Sequence, residues 1–160
     1  MGLDVVAYEG VGEFLGKDAT YGEDENSVYL GIHVPTMDRA PEIRHNGYYR
    51  KLGKEFSFRA GSYSSYNSWR EWLSERFLGA TPQEVWEDPK RFEGKPFYEL
   101  INFSDCDGIL GTKVCLKLYE DFCNAEFIPE DDEYTLEIFY TFKKAFATVS
   151  SLRNGVVVFC

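Results

Sequence analysis

Two stretches of the chain hold residue types that do chemistry. The first is residues 56–73, Phe-Ser-Phe-Arg-Ala-Gly-Ser-Tyr-Ser-Ser-Tyr-Asn-Ser-Trp-Arg-Glu-Trp-Leu. Phe56 and Phe58 alternate with Ser57 and Arg59 as in a strand, Gly61 breaks the run, and the pattern resumes as a helix. At such a strand-to-helix junction, backbone N–H groups and polar side chains are left free to hold a ligand. Arg59 and Arg70 suit bidentate contact with an anion. Tyr63, Tyr66 and Trp69 offer faces for stacking on a planar ring, and Asn67 offers both donors and acceptors. Ser62 or Ser64 is placed to cap the helix. The plainer alternative is a well-capped helix with a salt-bridged surface.

The second stretch is Asn102–Gly108, carrying Asn102, Ser104, Asp105, Cys106 and Asp107, with Glu99 just upstream. Paired carboxylates in a loop can hold a divalent cation. The spacing departs from a calcium loop, because Leu116 stands where a twelfth-position Glu belongs. Asx turns closing a tight loop fit better, so no metal site and no cofactor are expected. Cys106 as a nucleophile would need His33 or His45 nearby. There is no Gly-x-Ser-x-Gly elbow, no phosphate-cradling P-loop and no GxGxxG, which removes the corresponding hydrolase, NTPase and dinucleotide readings. The expectation is one site built from both stretches: Arg59, Ser62, Tyr63, Tyr66, Asn67, Trp69, Arg70, Asn102, Ser104 and Asp105 around a concave surface.

The elements that must position these residues follow from period and punctuation. Strands are expected at 3–8 and 27–34, a hairpin at 48–52 and 55–60 around Gly53-Lys54, and a closing strand at 156–159. Residues 9–26, rich in Gly and acid, read as a long surface loop or a lid, and 35–46 as another loop. Tyr66, Trp69, Leu73 and Phe77 keep helical spacing until Gly79. Thr81-Pro82-Gln83-Glu84 signals a second, short helix ending at Pro89. Residues 97–103 are ambiguous between strand and helix. Thr112 is read as the cap of a helix to about Asn124, and 131–152 as a long last helix with acidic residues at its start. Strands first and helices later give an α+β fold: a mainly antiparallel sheet, from the N-terminal half and the last strand, packed against C-terminal helices.

With 160 residues, the chain fits one domain, residues 1–160. Hydrophobic residues are 44% of it, enough for a core. Aromatics reach 17%, so rings are expected in a bulky core or around a pocket. The net charge of −10 disfavours long nucleic acid and anionic lipid. The four Cys form no CxxC pair and read as free thiols of a reducing cytoplasm. No signal peptide and no membrane-spanning apolar run are read, and Val6 stands where a myristoylation site wants Ser or Thr.

Three segments together resemble a family of small uncharacterised phage and bacterial proteins. They are Met1-Gly2-Leu3-Asp4, the run Phe58-Arg59-Ala60-Gly61-Ser62-Tyr63-Ser64-Ser65-Tyr66-Asn67-Ser68-Trp69-Arg70, and the run Pro96-Phe97-Tyr98-Glu99-Leu100-Ile101-Asn102-Phe103-Ser104-Asp105-Cys106-Asp107-Gly108. The resemblance covers most of the chain but not the acidic 9–26 and 35–46 loops. It implies no activity of its own. Its phage setting implies the cytoplasm of a bacterial host and an anti-defense role, for instance sequestering a host nucleotide signal. The residues thus lead to a binding protein for a small polar, nucleotide-like ligand. The alternatives are a hydrolase or transferase using Asp105, Asp107 or Glu99 as acid and base, and an acidic protein-interaction module. Homo-oligomerisation is left open.

Overall fold

In the computed structural model, residues 2–31 and 39–160 are described. Two long antiparallel strands carry the sheet: β1 (Gly2–Gly16) and β3 (Gly47–Ser62). Their pairing runs from Gly2 opposite Ser62 to Gly16 opposite Tyr48. β2 (Ser27–Leu30) adds to the Gly47 end of β3, and β5 (Asn154–Phe159) pairs with the other side of β1. β4 (Gly108–Leu110) pairs with β5. The order is β2-β3-β1-β5-β4, every neighbour antiparallel. This is the α+β, mainly antiparallel arrangement that the pattern predicts.

Two expectations fail for one reason. Residues 48–52 and 55–60 do not form a hairpin; they belong to one strand. Residues 9–16 are not loop; they continue β1. Gly53 sits in the left-handed region (φ 75°), not at a reversal but at a bulge, where Glu9 alone faces Gly53 and Lys54. The Glu9 carboxylate accepts the Lys54 N–H at 3.3 Å, and a side chain on Gly53 would collide with it. Gly10 likewise lies where Leu52 and Arg153 press close, so it marks close approach within a strand and not a loop. After Gly16 comes a 3-10 turn, Ala19–Glu23, capped by Asp18. Beyond Leu30 and Gly31, the rest of the predicted second strand, with His33 and Pro35, lies outside the described residues.

Six helices follow β3. α1 (Tyr63–Leu78) is capped by Ser62, whose Oγ accepts the Ser65 N–H at 3.1 Å, and ends at Gly79 with φ 65°. α2 (Pro82–Glu87) opens on the predicted Thr81/Glu84 capping box. α3 (Pro89–Phe92) and α4 (Tyr98–Ile101) are single turns, the latter resolving the ambiguous 97–103 stretch. α5 (Thr112–Asn124) is preceded by Gly111 at the cap position; Thr112 does not cap it, because its Oγ1 donates to the Gly155 carbonyl at 2.6 Å. α6 (Glu133–Thr148) is shorter than predicted. Asp132 caps it, and Asn154-Gly155 opens β5 instead of closing the helix.

Alternation along β1 places Leu3, Val5 and Ala7 fully buried on the helical side. There the rings interlock: Phe142 against Phe58, Trp69, Tyr66 and Phe146, and Phe139 against Phe97, Phe122, Phe127 and Trp72. A smaller cluster of Val11, Leu30, Tyr49, Ile109 and Val156 fills the opposite face beneath Ala40 and Ile43. The aromatic excess is thus mainly core. Among the described residues no helix is long and apolar enough to cross a membrane.

Truncating Phe139 to Ala should lower the unfolding free energy by about 3–5 kcal/mol in urea titration, since six other rings lose contact with it. Acid should also lower the melting temperature. Backbone hydrogen bonding from Thr135 holds the Asp132 carboxyl below the usual range. Stability from a depressed carboxyl is complete above its unfolded value, about 4, and is lost as pH falls through the folded one. Asp132→Asn should keep the cap and flatten part of that acid limb in a pH series of melting temperatures; an unchanged limb would show that Asp132 does not contribute.

Candidate functional site

Arg70 stands at a buried position of α1, 4% exposed, one turn after Tyr66. A guanidinium taken out of water must have its donors satisfied. It donates from Nη1 to the Phe103 carbonyl at 2.6 Å and to the Ile101 carbonyl at 3.4 Å. From Nη2 it donates to Asn67 Oδ1 at 2.6 Å. Its Cζ lies 5.5 Å from the centre of the Tyr66 ring and 5.2 Å from that of the Trp86 ring. Asn67 passes the connection on, donating from Nδ2 to Asp105 Oδ2 at 2.7 Å. Trp86 Nε1 donates to the Ile101 carbonyl at 3.1 Å.

The two chemistry-bearing stretches therefore meet, as expected, through Arg70, Asn67 and Asp105. The loop between them is set by its own short bonds. Ser104 Oγ accepts the N–H of Cys106 at 3.2 Å and of Asp107 at 3.1 Å, which makes a serine turn. Asn102 Nδ2 donates to the Tyr98 hydroxyl at 2.9 Å. Above the junction opens a cleft of about 490 Å³, lined by Asn67, Arg70, Glu71, Thr81, Pro82, Gln83, Trp86 and Asp105. Among the described residues no cluster of three His, Cys, Asp or Glu side chains is disposed for a metal ion.

Several residues read as one site are placed elsewhere. Arg59 lies on the sheet, forked onto Asp4 with both bonds at 2.8 Å, and does not line the cleft. Ser62 is spent as a helix cap. Tyr63 is half-buried against the core. Tyr66 is fully buried and Trp69 nearly so, with Trp69 Nε1 donating to the Thr135 carbonyl at 3.1 Å; both are core rings and not stacking surfaces for a ligand. Burial pushes the Tyr66 phenol above its ordinary range. Asn102 and Ser104 shape the loop without lining the cleft. For Tyr66 and Trp69 the reason is helical period, which puts them on the face of α1 that packs into the core.

The residue that sequence reasoning missed is Trp86, 43% exposed on the cleft wall, with Gln83 and Thr81 beside it. A signal existed. Val85 takes the buried position of a single short helix, so its neighbour, about 100° further round, must face outward. Arg70 lines the cleft beside Glu71 and Asp105, with both Nη groups bonded inside and its buried Nε without a hydrogen-bond partner among the described residues.

No protein-family model, no curated protein and no solved structure matches this chain.

Replacing Arg70 by Met should cost about 2–4 kcal/mol in urea unfolding, because the Phe103 carbonyl and Asn67 lose a charged donor in a dry setting. Arg59→Met, removing an exposed pair, should leave stability nearly unchanged. Equal losses for the two would show that Arg70 is not the tie between α1 and the 101–105 segment.

Proposed function

We propose that the protein binds a small, polar, nucleotide-like ligand in the cleft between α1, α2 and the Asn102–Gly108 loop. The observation that carries this reading is the half-exposed Trp86 ring facing an opening edged by Asp105, Glu71 and Gln83. A planar base stacks on Trp86, a contact worth about 1–3 kcal/mol. Its N–H donors point to the Asp105 carboxylate, whose Oδ1 has no hydrogen bond among the described residues, and to Gln83. Asn67 holds Asp105 in place. Binding without turnover fits this site. Glu99 lines a separate depression and is paired with Lys117 at 2.6 Å, so it does not join Asp105 as an acid–base partner. In the phage setting that the sequence motifs resemble, such a protein would sequester a host nucleotide signal in the host cytoplasm.

Calorimetry against nucleosides, cyclic di- and trinucleotides and ADP-ribose derivatives tests the reading. A binder should emerge whose affinity falls about tenfold or more in Trp86→Ala and in Asp105→Asn, and is unchanged in Arg59→Ala. A ligand bound equally well by the first two variants would place the site elsewhere.

A further inference from the structure

The outer edge of β3 between its two irregularities is open to a partner. The Asp4 N–H and carbonyl both pair with Cys160, each at 2.9 Å, so the backbone of Asp4 faces β5. Alternation then turns Val5 and Ala7 toward β3, where they face Phe58 and Phe56. The backbones of Phe56 and Phe58 therefore point inward, and those of Glu55, Ser57 and Arg59 point out. β2 covers β3 only from Gly47 to Arg50, with one further bond from Lys51 to Asn26. Among the described residues nothing pairs with the outward N–H and carbonyl groups of Glu55, Ser57 and Arg59.

We propose that this edge joins a second copy of the same chain, two β3 strands pairing antiparallel about Ser57 across a two-fold axis. The sequence Glu55-Phe56-Ser57-Phe58-Arg59 is complementary to itself in that register. Ser57 faces its own copy, Phe56 faces Phe58, and Glu55 faces Arg59 twice. All three outward residues fall into hydrogen-bonded pairs, so each free group on one edge meets its complement on the other. Glu55 and Arg59 share the face away from the helices, are 52% and 60% exposed, and would extend the existing Asp4–Arg59 pair into a charge row across the seam. Phe56 and Phe58, stacked on each other and only partly buried, gain cover on the helical face.

A helix already covers the inner side of this edge. α6 packs over β1 and β3 alike, with Lys144 Nζ 4.6 Å from the Phe56 ring centre. The bulge at Gly53 and the irregularity at Gly61 bound the paired segment, so the contact closes as a dimer and does not propagate.

Sedimentation equilibrium over a concentration series tests the proposal. The wild-type chain should reach twice its mass of 18.5 kDa. Glu55→Arg and Arg59→Glu should each weaken self-association by about tenfold or more, since each sets like charges opposite across the seam. Mixing these two variants should restore a heterodimer. The arginine introduced in one variant then faces the glutamate introduced in the other, and the remaining native Arg59 faces the remaining native Glu55. That rescue separates the seam from any loss of folding. A wild-type monomer at every concentration, or a dimer indifferent to both charge variants, would overturn it.

Discussion

A positive charge inside an acidic protein sets the terms for the helical half. Arg70 sits beside Trp86 with its two Nη groups met by the Phe103 and Ile101 carbonyls and by Asn67, while its buried Nε has no hydrogen-bond partner among the described residues. Those carbonyls lie at and just beyond the end of α4, where the backbone leaves helical geometry and has bonds to give. The irregular segment 101–105 is thus fixed by the side chain that it satisfies. Without the guanidinium, the segment would carry buried acceptors; without the segment, α1 would carry a buried charge. The same arrangement sets the floor of the cleft, which Arg70 lines together with the carboxylates of Glu71 and Asp105.

The sheet provides the stage. β1 lies between β3 and β5, and its inward residues are too small to hold off the layer above: Leu3, Val5 and Ala7 let α1 and α6 come down close. Phe142 fills the resulting space against Trp69 at 4.9 Å and Phe58 at 4.9 Å. That packing fixes the roll of α1, and the roll decides which of its polar residues face the loop. Asn67 and Arg70, one turn apart, face it together.

Local signals are legible where a single residue decides. Gly79, the Thr81/Glu84 box and the Ser62 cap all act within one turn. The strand–helix boundary at Ser62 and the α+β class are legible too. What the pattern misreads depends on the partner strand. Gly10 and Gly53 carry the composition of a loop, yet they serve a close approach and a bulge inside paired strands, which only the neighbouring strands make necessary. The candidate site is legible as two segments and their contact. Its residue list is too generous, because hydroxyls, rings and Arg residues clustered in sequence are spread by the helix over a core face, a cap and a cleft. Trp86 escapes the pattern since its helix is so short that periodicity says little.

The order of the strands also bears on how the molecule comes into being. β1, the second residue onward, cannot complete its pairing until β5 exists, since Asp4 bonds to Cys160 at the far end. Contacts of such large sequence separation are slow to form and close a long loop at high entropic cost. During synthesis the β1–β3 ribbon and α1 can associate early, but one edge of β1 stays open until residues 154–159 leave the ribosome. For that interval the outward backbone groups of Val6 and Tyr8 form an unpaired strand edge.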